Sequence, residues 1–178
     1  MHSSSLKNMK RFVDKYLQGI VPGKVLDVGS QDVNGTYKPL FAGWEYSGLD
    51  VCTGNNVNVV VNDPYHWSGV ESNSYDVVIS GQAFEHIELP WLTMGEIARV
   101  LKAGGLCCII APSSGPRHST PGGKDCWRYL PNGLEALARY VKLEVMESYI
   151  GWESIGNYED SLWQDAVLIC RKPSVGVI

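Results

Sequence analysis

The sequence lacks both a long hydrophobic run and a secretory signal. Its longest apolar stretches, such as residues 106–111, are far shorter than the roughly 20 residues that span a bilayer. The N-terminal segment carries Lys7, Lys10, Arg11 and Lys15 and is never continuously apolar, unlike a signal peptide. We therefore expect no membrane span and a cytoplasmic location.

The chain also lacks an excess of basic residues. It has 15 Lys and Arg against 19 Asp and Glu, so its net charge is −4 over 178 residues. A protein that binds a nucleic-acid backbone needs a clustered basic face to displace counterions. The composition argues against nucleic acid as a partner and favours a small-molecule substrate. Nothing in the sequence indicates an oligomeric state.

Metal ligands at short spacing are absent as well. The five cysteines and four histidines form no CxxC or HxxxH pattern, so the sequence predicts no metal site. Cys107, Cys108 and Cys170 lie inside apolar segments, where cysteine behaves as a small hydrophobic residue. We expect reduced thiols.

The chain does contain regularly spaced apolar segments, which predict one domain over residues 1–178. An N-terminal helix within residues 1–22 follows Ser3, Ser4 and Ser5, which can cap its start. Further helices are predicted at residues 90–102 and 132–140, and strands at residues 24–28, 46–50, 57–61, 75–79, 106–111, 143–149 and 166–170. Strands that are apolar throughout and alternate with helices indicate a mostly parallel sheet covered on both faces. The last two strands lack a helix between them and are expected to be antiparallel.

Ligands of such sheets bind beyond the carboxyl ends of the strands. Gly29 follows the first strand, where a glycine lets a ligand approach the backbone. Asp50 ends the second strand about 20 residues later, the separation at which an acidic residue accepts hydrogen bonds from ribose hydroxyls. This spacing predicts a nucleoside ligand, and the alternative is that Asp50 only caps a loop.

The segments VLDVG, GLD, NDP, YDVVISGQAFEHI and EIARVLKAGGLCCIIAPS follow one another along the chain. Over residues 25–113 this series resembles the class I methyltransferases that use S-adenosylmethionine, and RVLKAGG after EHI is its most specific part. The resemblance implies an α/β, Rossmann-like, doubly wound sheet of seven strands, mostly parallel with an antiparallel last strand. It implies S-adenosylmethionine as the cofactor and S-adenosylhomocysteine as the product.

The resemblance also implies which residues hold the cofactor. The turn at Gly29 would face the methionine part, Asp50 the ribose, and Asn62 or Asp63 the adenine. Gly81 and its neighbour would lie beside the sulfonium. The complete implied set is Asp27, Gly29, Ser30, Gln31, Asp50, Val51, Asn62, Asp63, Gly81 and Gln82.

The turn after the first strand departs from the family pattern. In this chain, Gln31 and Val33 occupy the second and third glycine positions of the family's GxGxG pattern. We expect Asn34-Gly35 to supply a tight turn slightly later. A nicotinamide enzyme needs a glycine at residue 31 so that the pyrophosphate can approach. The departure therefore disfavours an NAD-dependent oxidoreductase.

A long loop at residues 113–130 follows the fifth strand and is predicted to bind the substrate. Arg128, between Trp127 and Tyr129, can hold an anionic or sugar-like acceptor beside a stacking surface. The alternative is that both aromatic residues anchor the loop and that Arg128 pairs with Asp125.

His86 and His118 are the candidate catalytic bases. Methyl transfer needs alignment above all, and a base helps only when the nucleophile is a hydroxyl. The alternative for His86 is a helix-start histidine bonded to the backbone. The sequence thus predicts methyl transfer from S-adenosylmethionine to a small molecule through oxygen, nitrogen or carbon. The rival interpretation is a methyltransferase fold that binds a cofactor or partner without activity.

Overall fold

The computed structural model describes residues 3–118, 124–151 and 163–174. Helices and strands alternate along these ranges. They are α1 (Ser3–Tyr16), β1 (Lys24–Val28), β2 (Glu45–Asp50), β3 (Val59–Val60), β4 (Tyr75–Gly81), α2 (Pro90–Val100), β5 (Leu101–Ser114), α3 (Pro131–Tyr140), β6 (Glu144–Gly151) and β7 (Gln164–Arg171). Short 3-10 helices follow β1 at Lys38–Phe41 and β4 at Phe84–His86. Within the described ranges, every helix is too short or too polar to cross a membrane.

The seven strands form one sheet in the order β3-β2-β1-β4-β5-β7-β6. Strand β7 is antiparallel to both of its neighbours, so β6 runs in the same direction as the first five strands. This confirms the predicted fold class. Because β7 is reversed, its first residues lie at the edge where β1, β4 and β5 end.

The two faces of the sheet carry separate halves of the core. Alternate residues of a strand point to opposite faces. Cys107 and Ile109 of β5 belong to the cluster that includes α2 and α3, whereas Cys108 and Ile110 belong to the cluster that includes α1. Cys107, Cys108 and Cys170 are free and buried, which confirms their predicted role as small core residues.

Three predicted boundaries are corrected by the structure. Helix α2 ends at Val100 rather than at residue 102, because Leu101 already pairs with Tyr75 as the first residue of β5. Strand β3 is shorter than residues 57–61, and the side chain of Asn58 accepts the Gly48 N–H of the neighbouring strand. The serines at the chain start also differ from prediction. Helix α1 begins at Ser3, so the next two serines lie inside its first turn, where they are buried.

Candidate active site

A cleft of about 520 Å³ opens where the strand order reverses between β1 and β4. This is the place where open α/β sheets bind ligands. The wall of this outer cleft includes Gly29 and Gln31 after β1, Asp50 and Val51 at the end of β2, and Gln82 after β4. The fold therefore gathers the ends of three strands around one space, as the sequence predicted.

The turn after β1 uses its backbone amides inside the protein. Gly29 and Ser30 both donate to the Leu49 carbonyl, at 2.9 and 3.1 Å. The Gln31 N–H donates to Asp50 Oδ2 at 3.2 Å. These three donors are therefore already satisfied, and a ligand in the cleft would have to use other groups.

The turn itself depends on two glycines. Gly29 has a φ of 75°, and a Cβ there would lie 2.3 Å from the Ala83 Cβ. A side chain is excluded because the turn packs against the segment after β4. Further on, Asp32 Oδ1 accepts the Gly35 N–H at 2.7 Å, and Gly35 has a φ of 128°. The later turn expected at Asn34-Gly35 is present.

Asp50 caps a loop and also lies in the wall of the outer cleft. Its Oδ2 accepts the Gln31 N–H and its Oδ1 accepts the Cys52 N–H, each at 3.2 Å, so it does organise the loop. A carboxylate has about four acceptor positions, and two remain after these bonds.

The segment after β3 contributes different residues from those predicted. Val61, Pro64 and Tyr65 line the outer cleft. Asn62 and Asp63 are exposed beside it, and Asp63 Oδ1 accepts the Tyr65 N–H at 2.8 Å. Asp63 thus shapes the turn that presents its neighbours to the cleft, and the contact of Asn62 or Asp63 with an adenine stays a prediction.

A smaller space of about 170 Å³ adjoins the outer cleft, and we call it the inner chamber. Gln82 and His86 line both spaces. Other residues of the inner chamber include Asp27, Gly29, Ser30, Gln31, Tyr37, Gly81, Glu85 and His118. Six predicted cofactor residues and both predicted bases therefore line this chamber.

Helix α1 reaches the inner chamber through its first turn. Ser5 Oγ and the Tyr37 hydroxyl are 2.5 Å apart, and Ser4 Oγ donates to Asp165 Oδ2 at 2.7 Å. Gln82, with a φ of 57°, donates through its side-chain amide to Asp165 Oδ1 at 2.9 Å. Asp165 thus joins α1, β7 and the segment after β4.

Two buried carboxyl groups lie in the wall of the inner chamber. Burial raises the pKa of Asp27 to about 7, although the Tyr46 hydroxyl donates a hydrogen bond that lowers it. Burial likewise raises the pKa of Glu85 to about 8. Neither oxygen of Glu85 accepts a hydrogen bond from another described residue. Both groups can therefore hold a proton at neutral pH.

His86 and His118 lie beside Glu85 with their ring centroids 5.0 Å apart. His86 Nδ1 is 2.8 Å from the Lys124 carbonyl. A carbonyl only accepts, so Nδ1 carries the proton and Nε2 keeps its lone pair. The predicted backbone bond of His86 is therefore present, but it occupies one ring nitrogen only. Burial lowers the pKa of His118, which is neutral at neutral pH.

The structure brings together three possible ligand atoms that the sequence spacing did not indicate. One ligand atom from each of Glu85, His86 and His118 lies within 4.8 Å of the other two. Sequence spacing does not reveal the set because His118 comes from the loop after β5, whereas the other two residues follow β4.

Comparison with known proteins agrees with this architecture. Residues 26–109 match the family model described as a methyltransferase domain. This match covers the greater part of the segment that resembles the class I methyltransferases and agrees with that resemblance. No curated protein sequence matches it.

Solved structures share the fold of this chain at low identity. The 1,6-didemethyltoxoflavin-N1-methyltransferase of Burkholderia thailandensis, solved with 1,6-didemethyltoxoflavin and S-adenosylhomocysteine, is 14% identical with a TM-score of 0.72. The match covers 96% of this chain and 79% of that one. Phosphoethanolamine N-methyltransferase 2 of Haemonchus contortus, solved with S-adenosyl-L-methionine, is 17% identical with a TM-score of 0.65 and coverages of 94% and 53%. The [4+2]-cyclase SpnF is 15% identical with a TM-score of 0.69 and coverages of 95% and 81%. At these identities the likeness shows the fold alone.

Arg128 is hydrogen-bonded within the loop after β5. It donates to both oxygens of Asp125, at 2.5 and 2.9 Å. It also donates to the carbonyls of Pro116 and Trp127, each at 2.8 Å, and of Gly115 at 3.4 Å. The pairing with Asp125 left open by the sequence is the one observed. These acceptors occupy the N–H donors of Arg128, and Arg128 lines neither the outer cleft nor the inner chamber. The geometry therefore does not support Arg128 as a substrate ligand.

The aromatic neighbours of Arg128 anchor the same loop. The Trp127 indole N–H donates to the Ile87 carbonyl at 2.9 Å, and the Tyr129 hydroxyl donates to the Phe84 carbonyl at 3.1 Å. Both tie the loop to the segment after β4, which matches the anchoring alternative rather than direct contact with an acceptor. Residues 119–123 of the predicted substrate loop lie outside the described residues.

Several side chains of the candidate site were not predicted from the sequence. Glu85 stood in the quoted EHI segment without a role, although it directly precedes a candidate base. Asp165 could have been predicted as a residue near the site, because an antiparallel last strand must begin at the edge of the sheet where ligands bind. Tyr37 and the buried serines of α1 had no local signal, since only the folded chain brings them to the chamber.

Proposed function

We propose that this protein transfers the methyl group of S-adenosylmethionine to a small-molecule acceptor. The observation that carries this function is the position of Asp50. It ends β2 in the wall of the outer cleft and keeps acceptor positions after binding two loop amides. A carboxylate in that place suits the two hydroxyls of a ribose.

The outer cleft has the size and chemistry of a nucleoside site. Its volume of about 520 Å³ falls within the usual range of small-molecule pockets. Leu49, Val51, Val61 and Ile87 provide apolar surface for an adenine, and Asp50 provides the acceptor for the ribose. The turn at Gly29, which lines both spaces, would hold the methionine part. When bound, S-adenosylmethionine supplies an electrophilic methyl group on its sulfonium.

A dinucleotide fits the same cleft poorly. A pyrophosphate needs free backbone donors at the turn after β1. The Gln31 N–H is instead bonded to Asp50, and the two amides before it are bonded to the Leu49 carbonyl. A pyrophosphate would therefore meet satisfied donors and a nearby carboxylate. This geometry favours an adenosyl ligand without phosphate over NAD.

The inner chamber is the space in which the chain would align an acceptor. Its volume of about 170 Å³ limits the reacting part of the acceptor to a small group. Holding nucleophile and methyl group in line is the main requirement of the reaction. The Nε2 lone pair of His86 and the neutral ring of His118 can accept a proton from a hydroxyl nucleophile.

The charge of the chamber favours a neutral or cationic acceptor. Asp27 and Glu85 line it, whereas Arg128 is bonded within its own loop and Lys124 pairs with Glu88 beside the outer cleft. No Lys or Arg is among the described residues that line the chamber, so an anion would find no permanent positive charge there. The structure therefore gives no support to the anionic acceptor that Arg128 suggested.

A fold retained without methyl transfer is the competing function. One structure of the same fold is a cyclase, so the fold alone does not decide the reaction. The buried titratable groups of the inner chamber favour a reaction over simple binding, since such groups cluster at functional sites.

Titration calorimetry tests the cofactor part of this function. We expect S-adenosylmethionine and S-adenosylhomocysteine to bind with micromolar affinity and NAD not to bind. Incubation with methyl-labelled S-adenosylmethionine and a mixture of small alcohols, phenols and amines then tests transfer. Binding of NAD alone would refute the proposal, and adenosyl binding without any labelled product would favour the inactive module.

A further inference from the structure

Glu85 is a buried acid that the described chain does not satisfy. Its side chain is 1% exposed, and neither oxygen accepts a hydrogen bond from another described residue. Proteins normally pair a buried carboxylate with a cation or coordinate it to a metal. The arrangement around Glu85 shows which of these partners fits.

Two imidazole nitrogens lie at metal-ligand spacing from this acid. Glu85 Oε1 is 3.8 Å from His86 Nε2 and 3.9 Å from His118 Nε2. These distances are too long for hydrogen bonds, which extend to about 3.2 Å. Two ligands that each lie about 2.1 Å from a tetrahedral ion are roughly 3.4 Å apart. The two separations from Glu85 exceed this value by about 0.4 and 0.5 Å, and all three ligand atoms lie within 4.8 Å of one another, so modest side-chain movements would bring them onto one ion.

The outer contact of His86 matches that of a metal-bound histidine, whereas Nδ1 of His118 lies near a carboxylate without a hydrogen bond to it. A metal-bound imidazole usually donates its other N–H to a carbonyl or a carboxylate. His86 Nδ1 lies 2.8 Å from the Lys124 carbonyl. His118 Nδ1 lies 3.6 Å from Asp125 Oδ2, which also accepts the His118 backbone N–H at 2.8 Å. Arg128 in turn holds Asp125 through both of its oxygens.

We propose that Glu85, His86 and His118 bind one divalent first-row transition-metal ion. Two imidazoles and one carboxylate suit zinc or iron, whereas magnesium and calcium prefer sites made of oxygen ligands. All three residues line the inner chamber, so the open coordination positions face it and accept water or an acceptor oxygen or nitrogen.

The metal site can be tested separately from cofactor binding, because Asp50 and the apolar wall of the outer cleft are not among the proposed ligands. It does exclude one role of the same residues. An ion occupies the Nε2 lone pairs, so His86 and His118 cannot accept an acceptor's proton while it is bound. Metal binding and general-base catalysis by these histidines are therefore alternatives that one measurement separates.

The test is titration of chelator-treated protein with Zn²⁺ by calorimetry and with Co²⁺ by visible absorption. The exposed thiols of Cys52 and Cys126 also bind such ions, so the titration is repeated in the Cys52→Ser/Cys126→Ser variant. We expect one ion per chain in both proteins and a Co²⁺ spectrum without thiolate charge-transfer bands.

Variants of the ligands decide whether the ion binds at this cluster. Loss of an outer partner typically weakens metal binding about 10- to 100-fold, so Glu85→Gln and His118→Ala should weaken Zn²⁺ binding at least about 100-fold. His66→Ala is the matched control, because His66 is exposed and outside the cluster. It should bind like the parent protein.

Two results would overturn the site. One is the absence of any bound ion, and the other is unchanged Zn²⁺ affinity in His118→Ala. Either result would mean that Glu85 is protonated and that the two histidines are free to accept a proton from the acceptor. The His118 side chain is 32% exposed, so this variant keeps the test valid if Glu85→Gln does not fold. S-adenosylhomocysteine binding, measured on the same samples, reports the outer cleft separately.

Discussion

The outer cleft and the inner chamber are built in different ways. In the outer cleft, Asp50 bonds to amides 19 and 2 positions away, at Gln31 and Cys52. Beside the inner chamber, Asp165 is bonded to Ser4 and to the chamber residue Gln82, which are 161 and 83 positions away. The first space is assembled from adjacent strand ends, and the second requires the whole fold.

The two spaces also differ in chemistry. The outer cleft is mainly apolar, with the carboxylate of Asp50 bonded to loop amides and that of Glu88 paired with Lys124. The inner chamber concentrates titratable groups, including Asp27, Glu85, His86 and His118. A cofactor common to a family needs only the first kind of site. The second kind sets the acceptor and the reaction, and it depends on elements that can vary independently of the strand ends.

Asp50→Ala should have the largest effect and should act on the outer cleft alone. Hydrogen bonds to a charged group contribute about 1.5–3 kcal/mol each, so losing two ribose contacts should weaken S-adenosylhomocysteine binding by at least about 100-fold. Calorimetry on folded protein measures this loss. Asp63→Ala is the matched control and should stay within about twofold, because Asp63 bonds to Tyr65 beside the cleft. An equal loss of S-adenosylhomocysteine affinity in both variants would indicate that Asp63 also contacts the cofactor.

Asp27→Asn should change how the stability of the protein depends on pH. Burial raises the pKa of Asp27 from its ordinary value of 3.8 to about 7. Between these values the folded state holds a proton that the unfolded state has released, so the folded protein loses stability as pH rises. Asparagine removes this titration and keeps an oxygen that can accept the Tyr46 hydroxyl.

The free energy of unfolding of Asp27→Asn, minus that of the parent, should therefore increase by about 2–3 kcal/mol between about pH 5 and about pH 8. Glu85 acts in the same direction as Asp27, and the lowered pKa of His118 acts in the opposite one. Only the difference between the two proteins isolates Asp27, and urea unfolding of chelator-treated samples measures it. A difference that does not vary with pH would mean that Asp27 stays in one protonation state.

Arg128→Lys should loosen the loop beside the inner chamber and spare the outer cleft. Lysine keeps the charge but loses the planar fork that binds both oxygens of Asp125. We expect hydrogen exchange of the His118 and Cys126 amides to accelerate about 10-fold, with cofactor affinity unchanged. Arg117→Lys, at an exposed position of the same loop, is the control. Unchanged exchange together with weaker acceptor binding would make Arg128 a substrate ligand after all.

The contrast between the two spaces also explains what the sequence could predict. Strand positions and the turn at Gly29 follow from local apolar runs and glycines, and the reversed direction of β7 follows from the missing helix before it. Asp50 was recognisable because its spacing from the turn is set by the length of a single strand-turn-strand unit. These features depend on contacts between neighbouring segments.

The inner chamber was predicted less well because its contacts span the chain. Arg128 was placed on the acceptor since a cation between aromatic residues resembles a ligand clamp, but Asp125, three residues earlier, takes its donors. The partner of His86 is His118 on another loop, which no short spacing indicates. The exposed position of Asn62 beside the cleft could not be predicted, because the end of a strand does not show which of the following side chains enters the cleft.

Ser4→Ala, compared with Ser3→Ala, should give the smallest effect and tests whether α1 belongs to the inner chamber. Both residues lie in the first turn of the helix, so the change in helix propensity is similar. Ser3 is exposed, whereas Ser4 is buried and donates to Asp165 at 2.7 Å. Removing this bond should cost about 1 kcal/mol more in Ser4→Ala than in Ser3→Ala, which lowers the melting temperature by about 2–4 °C. Affinity for S-adenosylhomocysteine should be the same in both variants, because the bond closes the chamber and not the outer cleft. Equal melting temperatures would show that the first turn of α1 contributes nothing to holding β7 at the chamber.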